Sequence, residues 1–173
     1  MSMDREQFLN ILEDSFTAYY DIEEQENPEL PLVFRGDYRK REERYWITKS
    51  IPIWGNESGE FAYVFSAERF TPELAEKCIA FALEDGLPRV KPHKEHQHTD
   101  IKAILIADHF DEETRKLVQK KSFTKNYHFS LWGFSNLLTA AVDLGERKAY
   151  PNKVGHDLEK FFRKLFDLRK EEG

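Results

Sequence analysis

The stretch that most constrains the fold is Ile101 to Ala107, which reads Ile-Lys-Ala-Ile-Leu-Ile-Ala. A nearly continuous apolar run of this length, rich in β-branched residues, describes a strand covered on both faces. A chain built around such a strand needs other elements dense enough in apolar groups to bury it. Aromatic residues supply them, at 14% of the chain with fourteen Phe. That density excludes a disordered polypeptide. At 173 residues the chain can bury a core without disulfides or metals, and no linker or shift in composition divides it. The expectation is a single domain over 1–173.

Periodicity places the other elements around the strand. Phe8, Ile11, Leu12, Phe16 and Tyr19 recur at three- and four-residue spacing and predict a helix from Asp4 to Tyr20. Pro28 and Pro31 mark the acidic stretch from Asp21 to Pro31 as a loop. Three strands follow, at Leu32 to Tyr38, Tyr45 to Ile53 and Phe61 to Ser66. Thr71-Pro72-Glu73 is a helix start, and Gly86 sits where a left-handed C-cap belongs. Asp111 caps a helix running to about Lys121. Tyr127 to Phe134 alternates like a strand, and 137–150 reads as a hairpin turning at Leu144-Gly145-Glu146. A final helix runs from His156 to Arg169. The order is α-β-β-β-α-β-α-β-β-β-α. The expected class is α+β, one mainly antiparallel sheet with about four helices segregated on one side.

Charge and cysteine content narrow the function classes. The net charge of -6 argues against a general nucleic-acid binder, which carries a basic excess. The single cysteine, Cys78, precludes an internal disulfide, fits a reducing cytoplasm, and has the apolar neighbours of a small buried hydrophobe. The first residues lack the basic start and apolar core of a signal peptide, and no apolar stretch is long enough to span a membrane.

Three groups of residues have the chemistry of a site. His93, His96 and His98 place three imidazoles within six residues, a donor set for zinc or another divalent ion. In an extended segment His96 and His98 point to the same side, although Lys91 and Lys94 oppose a cation. Asp108, His109 and Asp111 follow the central strand, where α/β proteins often place ligands. The strand separates the two groups by roughly 33 Å, so they cannot share an ion. Arg35, Tyr38, Arg39, Arg41, Tyr45 and Trp46 form a candidate interaction surface of cations and rings. The chain has no glycine-rich phosphate loop, nucleophile elbow, His-Glu-x-x-His or Cys-x-x-Cys. Ser66, Ser122, Ser130 and Ser135 have no assignable base.

Three segments, Leu32-Val33-Phe34-Arg35-Gly36-Asp37-Tyr38, Tyr63-Val64-Phe65-Ser66-Ala67-Glu68 and Ala82 to His93, resemble a family of small proteins from anaerobic Gram-positive bacteria that is a domain of unknown function. That resemblance implies no activity. The chain is also similar, more distantly, to the PD-(D/E)xK nuclease fold, whose core begins helix, three-stranded meander, helix, strand. Ile104 to Glu113 is similar to the later strand–helix unit of those enzymes. Their signature needs an acid on one strand and Glu-x-Lys on the next, and Phe61 to Ser66 has no such pair. The leading expectation is therefore a non-catalytic cytoplasmic binding protein, with a protein partner or a second copy of itself and with no cofactor. The alternative is a metal-dependent hydrolase or nuclease-like enzyme using the histidines at 93, 96 and 98 or the Asp108/His109/Asp111 group.

Overall fold

A computed structural model describes residues 3–24, 27–38, 57–94 and 96–171. Among them are four helices and seven strands, and the strands form one sheet. The apolar run lies at its centre, in β4 (His96–Ala107). β4 pairs in parallel with β3 (Glu57–Ala67) on one side and with β6 (Phe134–Asp143) on the other. The flanks are antiparallel. β1 (Tyr20–Glu24) pairs with β2 (Leu32–Tyr38), and β2 with β3. β5 (Thr124–Asn126) and β7 (Lys148–Pro151) both pair with β6. The class is α+β with a mixed sheet, and the described elements run α-β-β-β-α-β-α-β-β-β-α, the same string as the sequence reading, with β1 a strand that reading did not place.

The helices do not gather on one side. Parallel neighbours need crossovers, and two crossovers of the same hand advancing in the same direction lie on the same face. Helices α2 (Pro72–Gly86) and α3 (Glu112–Lys120) make those crossovers. The terminal helices α1 (Arg5–Thr17) and α4 (His156–Glu171) cover the opposite face. β4 consequently serves two cores. Ile104 and Ile106 pack in a cluster with Phe8, Leu12, Phe162 and Phe166. Ile101, Ala103 and Leu105 pack in another with Phe65, Cys78, Ile79 and Val118. Phe8 stacks on Phe166 at 5.2 Å in the first core, and Phe70 on Phe110 at 5.6 Å in the second.

Several local expectations change. α1 stops at Thr17, Tyr19 is exposed, and the acidic stretch after it begins with strand β1 rather than a loop. The charges of β1 obscure it in sequence and suit a sheet edge. Gly86 is the last residue of α2, with right-handed φ of -78°, so it is not a left-handed cap. A Cβ there would meet the Ile101 side chain at 3.2 Å, so glycine permits the close approach of α2 to β4. Asp111 precedes α3, but its side chain makes no capping hydrogen bond. The Tyr127 to Phe134 segment is mostly a loop, with His128, Phe129 and Ser130 all at positive φ. The strand expected at 45–53 lies outside the described residues. So do Arg39, Arg41, Tyr45 and Trp46.

Candidate functional site

The α1/α4 face of the sheet turns polar at one end. Side chains alternate along strands, so Glu60 shares the face of Ala62 and Val64, while Asp100 and Lys102 share that of Ile104. The parallel register sets Glu60 opposite Asp100 and Ala62 opposite Lys102. Lys102 Nζ donates to Glu60 Oε2 at 2.9 Å and to Tyr20 Oη at 3.3 Å, and the Tyr20 hydroxyl donates to Glu60. Tyr20 reaches them across β2 because Gly36 has no Cβ, which would sit 3.2 Å from the tyrosine ring. His98 stacks on Phe134 at 5.6 Å, and its Nε2 lies 3.9 Å from Asp100 Oδ2.

Burial sets the electrostatics of this group. The Lys102 side chain is only 13% exposed and Asp100 only 18%. Desolvation raises the pKa of Asp100; Glu60 and Asp157 push the same way, while His98 and Lys102 oppose. Burial and then Glu60 push the Tyr20 hydroxyl up, so it stays a proton donor. A half-buried group in which acids outnumber the ammonium, with a carboxyl pushed up, has the character of a reactive centre. The only sequence cue was Lys102 interrupting the apolar run. Its partners lie 42 and 82 residues away in the chain.

The opposite face carries an ionic network. Arg35 bonds Asp85 at 3.2 Å and pairs with Glu23, Arg89 pairs with Asp37, and the Tyr63 hydroxyl donates to Asp85 at 2.6 Å. Arg89 also lies over the Phe61 ring at 4.6 Å. These interactions tie β1, β2, β3 and α2 together. The three segments that carry the sequence resemblance all contribute residues to it. Arg35 is thus 14% exposed and engaged in the network, and Tyr38 is half-buried with its ring edge-on to Tyr20. The other four residues of the candidate interaction surface, Arg39, Arg41, Tyr45 and Trp46, lie outside the described residues.

The three histidines diverge. The register slips between Glu57 and Ser58, inserting one extra residue into β4 between His96 and His98. Such a bulge breaks the alternation, so the two do not point to the same side. His96 is buried, its Nδ1 donating to the Trp132 carbonyl at 2.6 Å and its Nε2 meeting the Thr99 hydroxyl at 2.9 Å. His98 faces Asp100 instead. His93 lies on the loop before β4, its ring 6.4 Å from that of His96.

Asp108, His109 and Asp111 also separate. Asp108 pairs with Arg5 at 3.3 Å and borders a cleft of about 750 Å³ lined by Met3, Leu9, Val33 and Gly145. Asp111 is exposed. His109 Nδ1 turns to Asp143 Oδ2 at 3.1 Å, and both stand with Glu146 so that one ligand atom from each lies within 4.8 Å of the others. Asp143 and Glu146 were not anticipated from sequence. Cys78 is buried and its thiol is pushed up to about 12 by desolvation, as expected for a core residue.

The comparison with protein families matches residues 4–164 to Domain of unknown function (DUF8052). The chain belongs to the DUF8052 family. No curated protein and no solved structure matches it. In this DUF8052 protein no helix among the described residues is long and apolar enough to cross a membrane.

Proposed function

We propose that this DUF8052 protein is a metal-assisted hydrolase of phosphate esters, with its reaction centre at Glu60, Asp100 and Lys102. One observation carries the reading: an acid on β3 stands in register with the first residue of Asp100-Ile101-Lys102 on β4. The nuclease fold that the sequence resembles needs an acid on one strand and Glu-x-Lys on the next, and Asp100 stands in the place of that glutamate. Here the pair spans two parallel strands, which is why inspection of Phe61 to Ser66 alone missed it. Among the described residues, the order of helix, three antiparallel strands, helix and parallel strand adds support.

The donor set suits a hard divalent ion. Glu60 and Asp100 supply carboxylate oxygens, and their mutual repulsion favours a cation between them. Glu60 and Asp100 would hold the ion, which would supply polarisation of a phosphoryl oxygen and acidification of a water. Lys102 holds Glu60 in place and offers positive charge to the departing group. Tyr20 orients Glu60 from the other side.

The test uses the full chain with magnesium or manganese, on bis-p-nitrophenyl phosphate and on labelled single- and double-stranded oligonucleotides. Metal-dependent cleavage is expected, reduced at least ~100-fold in Glu60→Gln and in Asp100→Asn, with circular dichroism showing both variants folded. Cleavage that persists in both variants, or no metal-dependent cleavage of any substrate, overturns the reading.

A second reading is a non-catalytic cytoplasmic protein that docks a protein partner or a second copy of itself. The loop between β5 and β6 favours it. Phe129 is 96% exposed and Leu131 71%, on a segment held in left-handed backbone. Such conformations cost energy and concentrate at functional surfaces.

A further inference from the structure

We propose that His109, Asp143 and Glu146 form a second divalent-cation site, of the class that takes zinc or manganese. It lies at the carboxyl ends of the parallel strands β4 and β6, the opposite end from Glu60 and Asp100, and does not depend on the phosphate-ester reading. His109 follows β4, Asp143 closes β6, and Glu146 sits in the turn to β7.

The turn is built to hold the acids. The Leu144 N–H donates to the Ala107 carbonyl and the Gly145 N–H to the Asp108 carbonyl, each at 3.0 Å, which stitches the turn to the end of β4. A Cβ on Gly145 would meet that Asp108 oxygen at 3.1 Å, so the approach needs glycine. The Asp143 carboxylate is 1% exposed. Its Oδ1 accepts the Glu146 N–H at 2.8 Å and its Oδ2 the Phe110 N–H at 2.9 Å. Each oxygen keeps a second lone pair, and Oδ2 lies 3.1 Å from His109 Nδ1. Glu146 is steadied by the Tyr150 hydroxyl. These are the outer hydrogen bonds that orient ligands around a metal.

The charges nearby are compatible with an ion. Arg115 and Lys148 lie over the Tyr150 ring, at 4.5 and 5.0 Å from its centre, rather than on the carboxylates. An ion would replace the His109–Asp143 contact, taking one imidazole nitrogen and two carboxylate oxygens. That nitrogen–oxygen set suits zinc or manganese better than magnesium. Three protein ligands leave a position for water, and His109 is half exposed, so the ion can enter from solvent.

The experiment is calorimetric titration of the chelator-stripped full chain with zinc and with manganese. In the Glu60→Gln/Asp100→Asn background, where only this site remains, one ion per chain is expected, with affinity falling by about tenfold or more when His109→Ala or Glu146→Ala is added. Both residues are exposed enough for the variants to fold; Asp143 is left intact because it also holds two backbone N–H groups. A His93→Ala/His98→Ala double variant should bind like the parent. Absence of a stoichiometric site, unchanged affinity in the two single variants, or loss only in the His93/His98 variant each overturns the proposal.

Discussion

Replacing Lys102 with Met removes the ammonium while keeping most of the apolar stem. The side chain is 13% exposed and its partner Glu60 29%, so the pair is largely but not wholly out of water. Breaking a fully buried pair by removing one member costs about 3–5 kcal/mol, because the other charge is left uncompensated. Water reaching Glu60 relieves part of that, and Tyr20 still donates to it. A loss of about 2 kcal/mol at pH 7 follows. For 173 residues the unfolding entropy is about 0.36 kcal/mol per kelvin, so the midpoint should fall by about 6 °C. The loss should also depend on pH. Lys102 opposes the burial-driven rise of the Asp100 pKa, so without it Asp100 holds its proton to still higher pH. A carboxyl raised in the folded state contributes stability below its unfolded pKa and loses it as pH rises through the folded one. The deficit of the variant is therefore largest near neutrality and shrinks toward pH ~4. Calorimetric scans from pH 4 to 8 measure it. A deficit independent of pH, or none at all, would show that Lys102 does not neutralise buried carboxylates. In the double variant Lys102→Met/Glu60→Gln much of the loss should return, since removing both charges leaves nothing unpaired.

Two further outcomes follow from the same electrostatics. Asp100→Asn should stabilise the protein by about 1 kcal/mol at pH 7, an increment typical of relieving strain at a functional site; the gain should shrink toward pH ~4, as the native carboxyl takes up its proton. Thermal scans at the two pH values check it, and a loss at neutrality would refute the sense of the Asp100 shift. Cys78, buried with its thiol pushed up to about 12, should resist a disulfide-exchange reagent in the native state and react promptly in denaturant. Rapid native labelling would contradict its placement in the core.

The sites were less legible than the elements. Helices α2 and α4 announce themselves through apolar spacing, and α2 through Thr71, whose hydroxyl accepts the Leu74 N–H at 3.1 Å. β1 did not, because an edge strand owes its place to pairing rather than to apolar content. The histidine segment looked like a metal site because alternation was assumed. One inserted residue in β4 turned His96 to a carbonyl and His98 to an acid. Asp108, His109 and Asp111 are adjacent in sequence yet face three directions at the end of β4. Asp108 meets Arg5, and His109 meets partners 34 and 37 residues onward.

By itself the sequence determined the helices, most of the described strands and which strand lies at the centre. Apolar spacing is a local property, and Ile101 to Ala107 is apolar on both sides wherever it pairs. Tertiary structure decided who faces whom. Strand register is set by packing over the whole sheet, and a slip of one residue sends every side chain to the other face. Glu60 therefore meets Asp100 only because β3 and β4 run parallel in one particular register. The same long-range packing brings Tyr20 across Gly36, and the β6–β7 turn against the end of β4. Those contacts join residues dozens of positions apart, where no local periodicity reaches.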